Sequence, residues 1–470
     1  MGTVWETRLL RPATSGSAEQ HWGKVVALLV VGYLCMTRSF AYLGLPWFSI
    51  YIGEISLAAF LLFGPTTRQG PWLRVVQRAK RLRRFEWLLL LLLLDGAFEA
   101  ARGALSGYPI FTALRDTAFN YYPLFLFLGV WVGLHDRQFL RRVIRALAWC
   151  NGCYGLAYIL LLNRLPLAMP GTAHAGTRVP IFGQPAGSAI ALLGMITLEP
   201  RLRKVWYLLV LNAFVMLGIQ VRAEWLGFAV GLLVFAWLTK RLRHAVAFGL
   251  LLAALVGAMY LSHFAIPSPK GRSGGKISVR DITARALAPI DKSLADKLAP
   301  THDVSSFAGT AAWRLVWWAA IWHRVNASPS SAALGTGYGY PIGSLNPDIE
   351  AGTFIQTPHN DFLYALFYSG WFGATLFVLF QVEILRLLRR TFVITGLPAG
   401  LTLWSMMVTG SLFGDFFETP FGAIPFYLLV GVALAPALLR AYADTPSSRA
   451  TRPSPPAALG KHADVRQGNA

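Results

Sequence analysis

The sequence predicts an all-α polytopic membrane protein with about twelve transmembrane helices. The first observation behind this prediction is composition. Of the 470 residues, 55% are hydrophobic and only 14% are charged, whereas about a quarter of the residues in a soluble globular protein are charged. The mean hydropathy is +0.49, and three cysteines are too few for a disulfide framework. The composition therefore argues against a water-soluble enzyme.

The second observation is a series of apolar stretches, each long enough to cross a bilayer. A crossing helix needs roughly 20 mostly apolar residues. Runs such as the leucines of residues 88–94 are apolar on every face, which is typical of lipid-solvated helices. The twelve predicted spans cover approximately residues 25–43, 48–64, 86–102, 117–134, 144–162, 182–198, 204–220, 223–239, 244–262, 359–382, 391–413 and 421–439.

The third observation is the distribution of basic residues between loops. If the N-terminus is cytoplasmic, the inner short loops hold 20 Lys and Arg residues and the outer short connections hold 6. Cytoplasmic loops of membrane proteins carry such an excess. Both termini are therefore predicted to be cytoplasmic. Most of the net charge of +21 then reflects topology and attraction to anionic membrane lipids, and no nucleic-acid partner is expected.

These spans divide the chain into five parts. The predicted parts are a cytoplasmic N-terminal tail (1–24), transmembrane helices one to nine (25–262), a large outer loop (263–358), transmembrane helices ten to twelve (359–439) and a disordered cytoplasmic tail (440–470). The C-terminal tail is rich in Pro, Ser and Ala, a composition that cannot form a core. Long loops are usually functional, so the loop between helices nine and ten becomes the first place to look for a site.

The outer loop contains one predicted helix and two flexible segments. Within residues 311–325, Trp313, Trp317 and Ile321 share one side of a helix, which predicts an amphipathic helix at the outer membrane surface, where Trp is favoured. The stretch AIPSPKGRSGGKISVR is interpreted as a flexible linker. The glycines at 335, 337 and 339 are interpreted as a flexible turn in preference to a phosphate cradle.

The clearest candidate for chemistry is His359, in QTPHNDFLYALFYSGWFG. No Walker loop, H-E-x-x-H or D-x-D pattern occurs, so neither a metal nor another cofactor is expected. Thr357 can cap a helix and Pro358 suits its first position, which would put His359 in the first turn, where the helix dipole keeps an imidazole neutral, as a base must be. Gly370 and Gly373 would lie on the same helix face and admit a neighbouring helix or a lipid chain. The alternative is that His359 only caps the helix and the glycines only pack.

Arginines near the outer ends of the spans form the second signal, because a guanidinium matches phosphate oxygens with two parallel hydrogen bonds. Arg222 lies in the tight turn between spans seven and eight, Arg314 at the head of the loop helix, and Arg115 beside Asp116 at the start of span four. The alternative for each is an arginine that reaches towards lipid headgroups.

Together these residues predict an extracytoplasmic site that acts on a lipid-linked pyrophosphate. The arginines would stabilise the departing pyrophosphate, and His359 would accept the proton of an attacking sugar hydroxyl. A transporter is the competing class, but it would show two related halves and polar residues near mid-membrane. Here the long loop follows span nine and the ionisable residues cluster at outer span ends.

The histidine motif resembles a known family signature. His359-Asn360, nine residues and Gly370-x-x-Gly373 are similar to the H-[NSQ]-x9-G-x-x-G pattern of the bacterial O-antigen ligase superfamily, which also includes O-antigen and exopolysaccharide polymerases. The likeness extends to an arginine that opens span eight and to an Arg-x-x-x-Trp followed by Gly-x-Gly late in the loop. The residues that carry this extension are Arg222, Arg314, Trp318, Gly335 and Gly337.

The resemblance implies a GT-C-like fold in the bacterial inner membrane, with the active site at the periplasmic face. It implies that His359 is the base and that Arg222 and Arg314 engage an undecaprenyl-pyrophosphate-linked glycan donor, to which Arg115 is added as a third candidate. The implied reaction is metal-independent, inverting glycosyl transfer. The acceptor would be lipid A-core for a ligase, the favoured reading, or a second lipid-linked glycan for a polymerase.

Overall fold

The computed structural model describes residues 17–45, 50–63, 83–165, 186–199, 201–240, 242–267, 276–288, 291–298, 304–345 and 357–443, and these are mostly helical. The first ten helices are α1 (Ser17–Met36), α2 (Arg38–Ala41), α3 (Ile52–Phe63), α4 (Arg83–Leu105), α5 (Ile110–Asp116), α6 (Ala118–Tyr121), α7 (Phe125–His135), α8 (Phe139–Leu160), α9 (Ala186–Leu198) and α10 (Trp206–Ile219). A short antiparallel pair of strands, β1 (Gly44–Leu45) and β2 (Ile50–Tyr51), separates α2 from α3.

The second half of the chain continues the helical pattern. Its helices are α11 (Arg222–Thr239), α12 (Leu242–Leu261), α13 (Val279–Leu287), α14 (Lys292–Leu298), α15 (Val304–Val325), α16 (Pro329–Leu334), α17 (Asp361–Thr395), α18 (Ala399–Ser411) and α19 (Pro420–Ala443). A second antiparallel pair, β3 (Ile266–Pro267) and β4 (Lys276–Ile277), joins α12 to α13.

Several helices have the length and apolarity of membrane spans. Within the described residues, six segments meet both requirements: Ile110–His135, Phe139–Leu160, Arg222–Thr239, Leu242–Leu261, Asp361–Thr395 and Pro420–Leu438. Four shorter apolar helices accompany them: His21–Met36, Ile52–Phe63, Ala186–Leu198 and Trp206–Ile219. These helices support a multi-pass membrane protein. A helix overlaps each of the twelve predicted spans, but the number of crossings, the side of each terminus and the outer loop stay predictions.

The core is built from helices that approach closely at glycine. Helix α19 packs along α7, where a Cβ atom on Gly129 would collide with the backbone oxygen of Leu428 and a Cβ atom on Gly431 with that of Leu126. Helix α11 packs against α18 in the same way, because a Cβ atom on Gly227 would lie 2.7 Å from the Met406 oxygen. Small residues allow such contacts between membrane helices, where no hydrophobic effect drives association.

The predicted end of span ten is wrong. The sequence placed an inner loop after residue 382 and a new span from 391, but residues 383–391 are helical and α17 extends to Thr395. Arg386 forms an ion pair of 2.6 Å with Glu383 on the same helix, so the arginines that suggested a loop lie on a helical surface. The helix ends at Gly396, whose φ of +70° is the left-handed conformation that favours glycine, and Pro398 follows two residues later.

Other predicted boundaries also need correction. Helix α1 begins at Ser17, so residues 17–24 are helical rather than tail, and residues 1–16 lie outside the described part. The ends of the predicted linker pair as β3 and β4, and its centre, 268–275, lies outside the described residues. Helix α19 ends at Ala443, and the rest of the predicted disordered tail, 444–470, lies outside them too.

Helix α17 is broken at Gly370, which has φ 61° and ψ −164°. The break separates a segment of residues 361–369 from one of residues 371–395. The predicted helix face shared by Gly370 and Gly373 is therefore wrong. A Cβ atom on Gly370 would lie 2.5 Å from the backbone of Ala333, the penultimate residue of α16, so the end of a short neighbouring helix, rather than a lipid chain, fills this space.

The glycine-rich segment 335–339 forms a turn, as predicted, but its backbone is hydrogen-bonded to α17. The N–H of Thr336 donates to the oxygen of Phe367 at 2.9 Å, and the N–H of Gly337 donates to that of Tyr368 at 3.0 Å. Both acceptors lie just before the break in α17. A carbonyl group at this position loses the N–H, four residues later in the chain, that would normally donate to it. The segment thus satisfies backbone groups that the break exposes, and it fixes the first part of α17.

Candidate active site

His359 lies immediately before α17 in a strained conformation, with φ 53°. The prediction that it occupies the first helical turn is wrong, because α17 begins at Asp361 and Asn360 is the N-cap. The Asn360 side chain accepts hydrogen bonds of 3.0 Å from the N–H groups of Phe362 and Leu363. His359 is thereby released from capping, which removes the alternative that it serves only as a cap. Positive φ is uncommon outside glycine, and such strain concentrates at functional sites.

The imidazole of His359 faces a carboxylate that sequence reasoning missed. Its Nδ1 atom lies 3.7 Å from Oδ1 of Asp415, and 26% of the His359 side chain is exposed. Burial raises the pKa of Asp415, but the opposing effects of His359 and Arg38 outweigh burial and hold the pKa below its usual value. Asp415 is therefore ionised at neutral pH.

The turn that carries Asp415 is held to the start of α17 by two consecutive residues. Nδ2 of Asn360 donates a hydrogen bond of 3.0 Å to the Leu412 oxygen. The buried carboxylate of Asp361 accepts hydrogen bonds of 3.1 Å from the N–H groups of Phe416 and Phe417. The His-Asn-Asp tripeptide thus combines one side chain that faces the site with two that fix the opposite wall.

Arg314 reaches the same turn from α15. Its Nη1 donates a hydrogen bond of 3.1 Å to the Phe413 oxygen, and its guanidinium lies 5.8 Å from the centre of the Trp313 ring. Arg314 lies in the middle of α15 rather than at its head, because the helix begins at Val304. Burial and the positive charge of Arg222 lower the pKa of Arg314, whereas Asp415 raises it. The site therefore holds two mutually repelling guanidinium groups, an arrangement that a bound anion would stabilise.

Arg222 joins the site as the first residue of α11. Gln220, with φ 61°, ends the preceding helix in the left-handed conformation, which confirms the tight turn predicted here. Nη1 of Arg222 donates a weak hydrogen bond of 3.4 Å to the oxygen of Arg285 in α13. The loop helix α13 thus lies over Arg222 and limits its orientation.

Helix α15 closes one side of the site. Nε1 of Trp318 donates a hydrogen bond of 2.7 Å to the Pro358 oxygen, next to His359. Trp317 and Ile321 are fully buried, whereas Leu315 on the opposite side is 63% exposed. The predicted one-sided packing of Trp317 and Ile321 is confirmed, and the helix exposes apolar side chains on its other side. Its location at the membrane surface stays a prediction.

The structure does not bring every predicted residue to His359. Arg115 lies 3.3 Å from Asp116, whose Oδ2 accepts a hydrogen bond of 3.1 Å from the N–H of Gly339. Gly373 packs beside Ser369 and Asp95. The glycines of the motif therefore shape α17 and do not contact the reacting groups.

Sequence reasoning missed Asp415 and Asp361 as parts of the site. One signal could have revealed Asp415: residues 414–420, GDFFETP, form a short connection between two apolar helices and contain two carboxylates. Carboxylates in such a position are costly near a membrane and usually functional. Asp361 carried no comparable signal, because its partners are backbone groups more than fifty residues away.

A comparison with known protein families covers the segment that carries most of these residues. Residues 207–378 match the family model described as O-antigen ligase. The match includes Arg222, Arg314, His359, Asn360 and Gly370 and confirms the resemblance to the O-antigen ligase superfamily. It ends before Asp415. No match was found among curated proteins.

Proposed function

We propose that this protein catalyses inverting, metal-independent transfer of a glycan from undecaprenyl pyrophosphate to a sugar hydroxyl of lipid A-core, at the periplasmic face of the inner membrane. One observation carries the proposal: His359 faces the ionised Asp415, and the charge of Asp415 also acts on Arg314, which Arg222 in turn repels. The family match supports O-antigen ligation or the related polymerase reaction.

His359 is the proposed base. Because Nδ1 faces Asp415, a proton on Nδ1 is favoured, and Nε2 is left as the acceptor. The gap of 3.7 Å is longer than a hydrogen bond, and catalytic contacts commonly shorten when substrate binds. After His359 has taken a proton, the negative charge of Asp415 stabilises the imidazolium.

The proposed step balances without an external reactant. The acceptor hydroxyl loses its proton to Nε2 of His359 while its oxygen attacks the anomeric carbon of the donor. The bond between that carbon and the pyrophosphate oxygen breaks on the opposite side, so the configuration inverts. Undecaprenyl pyrophosphate leaves with the bonding electron pair, and the imidazolium later returns its proton to solvent.

Arg222 and Arg314 are proposed to bind the pyrophosphate and stabilise its developing charge. Both side chains are partly buried. An ionic hydrogen bond is stronger in such a position than in solvent. Arg115 is proposed to contribute more weakly, because half of its side chain is exposed and it is paired with Asp116. The apolar side of α15 is proposed to face membrane lipids.

The experiment is a transfer assay with the purified protein in proteoliposomes. The reaction contains an undecaprenyl-pyrophosphate-linked glycan of several repeats, lipid A-core and EDTA. We expect glycan on lipid A-core in wild type and a loss of roughly 10²- to 10⁴-fold in His359→Ala, the usual contribution of a general base. His323→Ala, which changes an exposed histidine of α15, is the matched control.

The products distinguish the two related activities. Glycan on lipid A-core supports ligation, whereas longer lipid-linked chains without lipid A-core product would identify a polymerase. Full activity of a folded His359→Ala protein would overturn the role of the base. Absence of any transfer by wild type to either acceptor would overturn the proposed reaction.

A further inference from the structure

Trp313 is the one residue of the predicted apolar side of α15 that does not enter the core completely. Trp317 and Ile321, about one and two turns further along the helix, are fully buried, whereas Trp313 is partly exposed. Part of a large aromatic ring is therefore open on the side of α15 that faces the candidate active site. Neither the proposed base nor the proposed pyrophosphate site uses this ring.

The position of the Trp313 ring is fixed by the core. Trp317 stacks on one of its faces, with 5.5 Å between the ring centroids and 30° between the ring planes. Trp317 is held in turn, because its Nε1 donates a hydrogen bond of 3.1 Å to the oxygen of Ile342, and both residues are fully buried. The exposed part of Trp313 thus belongs to its edge and its second face. A ring held in this way offers contact area at little cost in conformational entropy.

This ring contacts two residues of the candidate site. Its centroid lies 6.1 Å from that of the His359 imidazole, with 73° between the two planes. The guanidinium of Arg314 lies 5.8 Å from the centre of the same ring. Trp313 is therefore next to both the proposed base and an arginine proposed to bind the pyrophosphate.

The indole N–H of Trp313 differs from those of its neighbours on α15. Trp317 donates its N–H to Ile342, and Trp318 donates its N–H to the oxygen of Pro358 at 2.7 Å. Within the described residues, no acceptor bonds the N–H of Trp313. Since a buried indole N–H usually finds a partner, binding of a ligand over this ring would favour one that offers an oxygen atom.

The proposed reaction places one part of the substrate beside this ring. The sugar attached directly to the pyrophosphate must reach from the phosphates at Arg314 to the acceptor hydroxyl at His359, because its anomeric carbon joins the former and is attacked by the latter. The face of an aromatic ring has a negative potential, which disfavours phosphate oxygens and suits the C–H bonds on the apolar face of a sugar ring. The hydroxyl groups at the rim of the sugar can accept an N–H.

We propose that Trp313 binds the first sugar of the donor, the one attached to the pyrophosphate, by stacking on its apolar face and donating the indole N–H to one of its hydroxyl groups. This inference rests on the proposed function and adds a sugar subsite to it. Sugars further from the pyrophosphate lie beyond the ring. The contact orients the anomeric carbon for attack, as a reaction between two bound substrates requires.

The test compares the donor with the same lipid without its glycan. Equilibrium binding of the undecaprenyl-pyrophosphate-linked glycan and of undecaprenyl pyrophosphate is measured with the purified protein in proteoliposomes, without acceptor. The variants are Trp313→Ala and Trp313→Phe, which keeps a ring but has no N–H. Trp322→Ala is the matched control, because Trp322 lies on the same helix about two and a half turns later, on the opposite side, and is 47% exposed.

For Trp313→Ala we expect the Kd of the glycan-linked donor to rise about tenfold, the loss of one aromatic contact, and the Kd of undecaprenyl pyrophosphate to stay unchanged. Trp313→Phe should give a Kd between those of wild type and Trp313→Ala, and Trp322→Ala should bind both lipids as wild type does. Arg314→Lys should weaken both lipids alike, since it acts on the pyrophosphate.

Three results would overturn the inference. An equal rise for both lipids would mean that Trp313 only supports the arginines. Unchanged binding of the donor in Trp313→Ala, or equal affinity of wild type for the two lipids, would remove the sugar contact. The proposed function fails separately: tighter binding of the glycan-linked lipid that depends on Trp313, but with no transfer by wild type to any acceptor, would contradict the reaction and support the sugar subsite.

Discussion

The buried carboxylate of Asp361 accepts a hydrogen bond of 3.1 Å from the backbone N–H of Phe417. A residue that opens α17 thereby holds the turn before α19. Because His359 lies two residues before Asp361 and Asp415 two residues before Phe417, this bond helps to set the distance between base and carboxylate. The pair depends on such long-range contacts, which Asn360 and Asp361 provide together.

Replacing Asp361 should damage stability and activity together. Asp361→Ala leaves at least two backbone N–H groups without an acceptor, at about 1–3 kcal/mol each, and frees the turn that carries Asp415. We expect a lower Tm in detergent and loss of transfer. Asp291→Ala removes an exposed side chain that bonds the N–H of Leu294 and should cost no more than about 1 kcal/mol. Equal Tm values for the two variants would contradict this role.

Asp415→Asn should lower turnover without weakening donor binding. An amide cannot balance the charge of an imidazolium, so we expect kcat to fall roughly 10²-fold while the donor KM stays unchanged. Stopped assays with varied donor concentration measure both constants. An unchanged kcat would show that the carboxylate does not assist His359.

Glu418 predicts a dependence of stability on pH. Burial, followed by the Asp361, Asp415 and Asp116 carboxylates, raises the pKa of Glu418 well above its ordinary value. A raised pKa stabilises the fold below the unfolded value, about 4.3, and this contribution is lost as pH rises through the folded value. Glu418→Gln should therefore gain stability relative to wild type as pH rises from 4 to 8. The Tm of both proteins, measured across this pH range, tests the sign of the effect. A Tm difference between wild type and Glu418→Gln that is the same at every pH would refute it.

Lysine substitutions of the three candidate arginines should differ in their effect on the donor KM. Arg222→Lys and Arg314→Lys keep the charge but lose the planar fork, so we expect the donor KM to rise about tenfold in each. Arg115→Lys should change it less, because this side chain is paired with Asp116. Initial rates against donor concentration give the ranking. A larger effect at Arg115 would reverse the assignment of the donor site.

Gly370→Ala should disrupt the break in α17. A Cβ atom would lie 2.5 Å from the backbone of Ala333, and alanine disfavours the φ of 61°. We expect a lower Tm and little transfer. Gly257→Ala in α12 meets nothing within 4 Å and should keep wild-type activity. Normal stability of the Gly370 variant would mean that α17 can straighten.

Hydropathy predicted the positions of the helices well because a helix in contact with lipid is apolar along its whole length. Hydropathy did not predict the helix ends that depend on a single residue. From the sequence, Arg386 looks like a charge in a loop, but in the structure it pairs with Glu383 on the same helix. The helix ends only at Gly396. The break at Gly370 had no local signal, since a lone glycine in an apolar stretch usually continues the helix.

The candidate site was predictable only where a residue type and its position pointed to the same chemistry. His359, Arg222 and Arg314 met that condition. Asp415 lies near them only because α17, α18 and α19 pack together, and packing between distant segments has no periodic trace in the sequence. The capping role went to Asn360 rather than Thr357, since either residue type can cap and only the backbone decides between them.

The break at Gly370 also divides α17 into a long segment and a short one, and their lengths determine how far His359 lies from the end of the helix. The segment after it, residues 371–395, is about 38 Å long at 1.5 Å per residue, which suffices for a hydrocarbon layer of about 30 Å. We expect residues 361–369 to extend this segment as a post of about 13 Å, with His359 at its top. A donor anchored by its lipid tail presents its anomeric carbon at a level fixed by the pyrophosphate. We expect the protein to select donors by the distance between the lipid anchor and the reacting carbon. Donors that differ only in the sugars beyond that carbon should be accepted.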